Sequence, residues 1–303
     1  MEKFRLIPLL TAAVMGCTAL LAGCGKGSDS SSKAEEGAKT SDDGSINKDL
    51  TATELARLLG NGTNLGNTME AYGHKSYSAD TDPESFETLW GQPVTTEEMI
   101  KGMKASGFDS LRVPVAWTNA MEYEKGDYTI NEAYLDRVEE IINYALDNDM
   151  YVIINDHWDG SWWGMFGSSE QSDVDKAFEM YKSMWTQIAN RYKKYSDRLI
   201  FEGANEELGD RLNDTDVCKN SGSLSKAECY EMANKINQTF VDTVRATGGN
   251  NEQRFLLIAG YNTDITMTCS NKFQMPTDTA KDKLLLSVHY LSLIHISEPT
   301  RPY

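Results

Sequence analysis

The chain is predicted to be a parallel α/β protein, a (β/α)8 TIM barrel of which about six of the eight strand–helix units are present. Two observations point there. Short apolar strands alternate with amphipathic helical stripes, and polar and aromatic residues gather just after the strands, where barrel enzymes place their chemistry. A third observation weakens the main competitor: no glycine-rich phosphate fingerprint follows any strand, as a nucleotide-binding sheet would require.

The elements follow in order. Lys3 and Arg5 precede an apolar run from Leu6 to Leu21 and the small-residue ending Leu21-Ala22-Gly23-Cys24. This reads as an export signal over 1–23, too short for a spanning helix. Its ending resembles a bacterial lipobox, which makes Cys24 the lipidated first residue; the alternative is an ordinary cleaved signal and a freely secreted protein. Residues 24–49 are Ser/Gly-rich with Ile46 as their only large apolar side chain, so a flexible tether is expected. The barrel domain then occupies 50–290. Its strands are expected at Gly62–Asn67, Ser110–Val115, Tyr151–Asn155, Leu199–Glu202, Phe255–Ala259 and Leu284–Val288, continuous apolar runs suited to parallel strands covered on both faces. Between them, Thr95-Thr96-Glu97-Glu98 opens a helix as a capping box and Gly107 closes it. Tyr134, Leu135, Val138, Ile141, Ile142 and Ala145 keep a helical period, as do Phe178, Tyr181, Met184, Trp185, Ile188 and Tyr192, and then Met232, Ala233, Ile236, Phe240 and Val244.

Composition limits the partners. The 46 acidic residues outweigh 29 basic ones, which argues against nucleic acid and against an anionic membrane surface; contact with a membrane is expected only through the lipid anchor. A neutral ligand and a monomer suit the chain better. Of five cysteines, Cys17 leaves with the signal and Cys24 is the anchor. Cys218, Cys229 and Cys269 remain, either with a Cys218–Cys229 bridge or as three thiols.

The chemistry concentrates in Leu199-Ile200-Phe201-Glu202-Gly203-Ala204-Asn205-Glu206, an apolar strand that delivers an Asn-Glu pair at its C-terminal end. Glycoside hydrolysis needs a carboxylic acid to protonate a glycosidic oxygen while a neighbouring hydroxyl is held, so Glu206 is the candidate general acid. No cofactor is expected. A metal at Asp156-His157-Trp158-Asp159 is not expected either, because neighbouring strand residues point to opposite faces and cannot easily converge.

Five segments now carry a family resemblance: Gly62-Thr-Asn-Leu-Gly-Asn67, Leu111-Arg-Val-Pro114 with Trp117, Val152-Ile-Ile-Asn-Asp-His157, Ile200-Phe-Glu-Gly-Ala-Asn-Glu206 and Ser287-Val-His-Tyr290. In their order and spacing the chain resembles the glycoside hydrolase family 5 endoglucanases, or cellulases, which have (β/α)8 barrels and a retaining mechanism. The resemblance implies an endo-β-1,4-glucanase acting on cellulose or related β-glucans. It makes Glu206 the acid/base and Asn205 the amide that bonds the sugar's 2-hydroxyl. Arg112 becomes the arginine beside the nucleophile, His157 and His289 line the subsite where the bond breaks, and Asn67 and Glu70 join the substrate-binding set. Trp117, Trp158, Trp162 and Trp163, placed after strands, are expected to stack on pyranose rings. The chain departs from the family at Trp158, where a second His is common, and at Glu207, where Pro is common; both changes bear on specificity more than on activity.

After Tyr290 the family pattern stops. Residues 291–303 look like the translation of a sequencing adapter, so His295 and Glu298 are set aside and roughly 60–100 further native residues are expected for two missing units. The nucleophilic Glu is then absent from the chain, and the 303 residues alone are expected to be inactive. The alternatives are a non-catalytic surface glycan-binding protein, or a mannanase, xyloglucanase or lichenase with the same motifs.

Overall fold

In the computed structural model the described residues are 40–157, 162–216 and 218–290. Cys24, Trp158 and the segment 291–303 lie outside them. Six strands, β1 (Gly62–Asn64), β2 (Ser110–Val113), β3 (Tyr151–Asn155), β4 (Leu199–Glu202), β5 (Leu256–Ala259) and β6 (Leu284–Ser287), form one sheet in chain order. Every pairing is parallel. Each crossover carries helix: α2 (Pro83–Leu89) and α3 (Glu97–Ala105) lead to β2, α4 (Glu132–Asp147) to β3, α5 (Gln171–Tyr192) to β4, α6 (Lys226–Ala246) to β5 and the short α7 (Ile265–Thr268) to β6. This is an open arc of a (β/α)8 barrel; among the described residues β1 and β6 have one strand neighbour each.

Side-chain alternation along the strands builds two cores. On the outer face Leu111, Val113, Val152, Ile154, Leu199, Phe201, Leu256 and Ile258 pack against the apolar stripes of the helices. On the inner face Ile200 and Phe255 meet Leu55 of α1 (Ala52–Leu58), with Ile153, Leu257 and Leu285 around them. Helix α1 therefore packs on the inner face. A capping box starts it, the Thr51 hydroxyl accepting from the Glu54 amide while the Glu54 carboxylate accepts from the Thr51 amide.

The capping box expected at Thr95–Glu98 is replaced by a simpler cap. Thr96 is the N-cap and accepts from the Met99 amide, so the third helical position is Met99 and no Glu can reach back. Gly107 does close the helix, at φ +94°.

The expected tether is not free along its whole length. From Thr40 onward the chain is bonded to the barrel: the Asp42 carboxylate accepts from the Ser196 amide at 2.8 Å and hydroxyl at 2.6 Å, and Asp147 accepts from the Ser41 amide at 2.6 Å. Asn250 donates to the Gly44 carbonyl, the Asn47 amide to Asp197, and Lys283 to the carbonyls of Asn47 and Leu50. The polar composition favours a free tether, but these residues find polar partners near the strand starts. The three described cysteines are free thiols.

Candidate active site

The strands deliver their polar residues at the C-terminal ends. Arg112 on β2 donates from Nε to Glu202 Oε2 at 2.6 Å and from Nη2 to Asn205 Oδ1 at 2.9 Å. Glu202 is fully buried and Arg112 nearly so. Asn205 is thus held by a guanidinium from a strand two places away in the sheet. Its backbone N–H donates to the buried Glu207 carboxylate at 2.7 Å. Gly203 is needed just after β4 because a Cβ there would sit 2.8 Å from the Phe240 ring.

Glu206 is half-exposed, and His289, after β6, lies with Nδ1 2.7 Å from Glu206 Oε1. That hydrogen bond is the main reason the Glu206 carboxyl is held below its ordinary value, against the upward pull of burial. His157, after β3, is half-buried; loss of solvation, with Arg112 nearby, drops its imidazole to about 3, so it is neutral at any physiological pH. Arg112, His157, Asn205, Glu206 and His289 therefore lie close together beyond the C-terminal ends of the strands.

The expected binding residues fare differently. Asn67 is exposed just past β1 at φ +62°. Glu70 is 5% exposed and accepts from the amides of Asn67 and Thr68, the latter at 2.8 Å, so it closes its own turn and is raised above the usual carboxylate range by burial. This corrects its assignment as a substrate contact. Trp117, Trp162 and Trp163 are fully buried, which corrects theirs. Trp162 and Trp163 stack on each other at 4.4 Å beside Phe166 and Tyr181, and Trp117 donates to the Asn155 carbonyl at 2.8 Å. Their faces are covered by protein and cannot receive a sugar ring.

Two features were missed. Asn155, the last residue of β3, is fully buried and touches His157; a polar residue ending an apolar strand was the available signal. A cleft of about 580 Å³ opens between the loops after β1 and β2, lined by Tyr72, His74, Tyr77, Asn119 and Tyr123 among others. Beside it Trp90 is 45% exposed and meets Tyr72 edge-on. Among the described residues no cluster of metal-ligating side chains occurs.

Comparison with known proteins identifies the family. The profile described as Cellulase (glycosyl hydrolase family 5) matches residues 72–301. A xyloglucan-specific endo-beta-1,4-glucanase of Bacteroides ovatus is 39% identical over 246 residues, 80% of this chain and 45% of that protein. Endoglucanase A of Paenibacillus barcinonensis is 36% identical over 260 residues, 81% of this chain and 59% of its own length. The chain thus spans about half the length of the curated relatives it matches. Among solved structures, a broad specificity endoglucanase from Ruminococcus champanellensis with bound cellotriose aligns with TM-score 0.69 and 38% identity, covering 80% of this chain and 67% of that one.

Proposed function

Because this chain belongs to glycosyl hydrolase family 5, we propose that it forms the acid/base half of a retaining hydrolase that cleaves internal β-1,4 bonds of β-glucans, xyloglucan included, in polysaccharide breakdown. The observation that carries this reading is the Glu206–His289 contact beside Asn205 and His157. The Glu206 carboxylate accepts from His289. A glycan laid over it removes water, favours the protonated carboxyl and so readies Glu206 to protonate the leaving oxygen. Asn205, fixed by Arg112, presents its amide to the 2-hydroxyl of the sugar. Glu206 later takes a proton from the incoming water.

A retaining reaction needs a second carboxylate about 5–5.5 Å from the first. We assign it to no described residue: Glu202 serves Arg112, Glu207 serves the Asn205 amide, and Glu70 serves its own turn. The 303-residue chain is accordingly expected to bind glycan without turnover. Sugar units beyond the reacting pair are placed in the cleft of Tyr72, Tyr77 and Tyr123, with Trp90 at its edge, rather than on the buried tryptophans. The export route in residues 1–24, ending in a lipid on Cys24, belongs to the same proposal.

The test has two parts. In the protein that carries this chain with its nucleophile, Glu206→Gln should lower kcat on carboxymethylcellulose and xyloglucan by about 10²–10⁴-fold and leave oligosaccharide binding nearly unchanged. A loss under tenfold would move the acid role elsewhere. Turnover by the 303-residue chain that disappears with Glu206→Gln would show that the chain holds its own nucleophile after all.

A further inference from the structure

The site holds a polarity that can be read from one backbone group outward. The Val115 amide can only donate, and it donates to the side-chain oxygen of Asn155 at 3.2 Å. That bond fixes which end of the Asn155 amide is oxygen. The NH₂ end is therefore the one that lies 3.1 Å from His157 Nδ1. An NH₂ group donates and has no lone pair to offer, so Nδ1 must accept, and the ring proton must sit on Nε2. The backbone that carries both side chains is held as well: the His157 backbone N–H donates to the Val115 carbonyl at 2.9 Å, and the Trp117 indole donates to the Asn155 carbonyl.

We propose that Asn155 is a positioning residue that locks His157 as a neutral imidazole with its proton on Nε2, so that substrate meets a hydrogen-bond donor to a sugar oxygen and neither a base nor a cation. His289 faces the opposite way. Its Nδ1 donates to Glu206, so the two histidines of the site are of opposite tautomeric sense. The charged or titratable groups around the His157 ring are Arg112, Glu206, His289 and Arg211. Two of them are permanent cations, which oppose a third positive charge on the ring. The inference deepens the proposed function by naming what His157 offers the glycan, but the tautomer is read without substrate and stands or falls separately.

The test is long-range ¹H–¹⁵N correlation of the histidine rings in the 303-residue chain, whose four histidines are assignable by single His→Gln replacements. His157 should show an unprotonated Nδ1 and a protonated Nε2, unchanged between about pH 5 and 8. Asn155→Asp keeps the size and the bond from Val115 but turns the group facing Nδ1 into an acceptor. The ring should then invert to Nδ1–H or titrate within that range, and cellotriose binding should weaken on the order of tenfold. A proton on Nδ1 in the wild type, or a His157 that titrates as an ordinary histidine, overturns the proposal even if the variant fails to fold. An unchanged ring in a folded Asn155→Asp chain overturns it too. Wild-type protein with the expected ring state but no affinity for cellotriose would instead count against the glycan reading.

Discussion

Replacing Arg112 by Met should cost about 3–5 kcal/mol of stability at neutral pH, because it leaves a fully buried carboxylate without its cation. The structure sets the scale. Glu202 has no exposure, its Oε1 has no hydrogen-bond partner, and its Oε2 receives the Arg112 guanidinium at 2.6 Å. Arg112 is itself only 17% exposed, so solvent screens the pair little. The cost is capped by proton uptake at Glu202. Protonation removes the stranded charge, so the deficit is largest at neutral pH and shrinks as the pH falls. Urea unfolding followed by tryptophan fluorescence at about pH 7 and pH 4.5 measures it, with a matching drop in Tm of roughly 6–20 °C at neutral pH. Adding Glu202→Gln to Arg112→Met should restore much of the loss, since no charge is then stranded. A deficit under about 1 kcal/mol, or one equal at both pH values, would refute the charge argument and leave only packing.

Trp163→Ala should cost about 3–5 kcal/mol as a core cavity and leave oligosaccharide affinity unchanged; lost affinity at intact stability would return Trp163 to the binding surface. His289→Ala removes the donor that holds the Glu206 carboxyl low, so a ¹³C carboxyl titration should find it moved upward and a larger fraction protonated at mildly acidic pH; an unmoved titration would deny the bond. The depressed carboxyl stabilises the fold above the unfolded carboxylate range and ceases to as pH falls through its folded value, weakly because Glu206 is half-exposed. Under the proposed lipid anchor, Cys24→Ser should move the protein from the membrane fraction to the medium, and wild-type protein found wholly in the medium would exclude the anchor.

The strands and helices were legible because burial imposes a period that residue types obey. Their ends were less so. Gly62–Asn67 reads as one strand, yet β1 stops at Asn64, since Asn67 turns to positive φ and gives its amide to Glu70. The Asn205-Glu206 pair and the two histidines near it stand out in the sequence through motifs at strand ends. Which way a side chain turns was not: Trp162 and Trp163 follow β3 as a binding platform would, but their short 3-10 turn, Trp162–Gly167, faces them inward against α5. Nor can a sequence show that Arg112 finds Glu202 90 positions away, or that Asn155 sets the proton of its neighbour. Those facts depend on register and on hydrogen-bond partners that exist only once the strands lie side by side.

The bonds that hold residues 40–50 bear on how the chain is made. Ser41 waits for Asp147, 106 positions later, Asp42 for Ser196, 154 positions later, and Asn47 for Lys283, 236 positions later. Contacts this distant in sequence contribute little until the intervening strands have docked, so they belong to the slow, non-local part of folding. The first described residues to be synthesised are thus among the last to be secured. Until then this stretch has few partners to hold it, and its capture by the finished sheet marks the end of assembly.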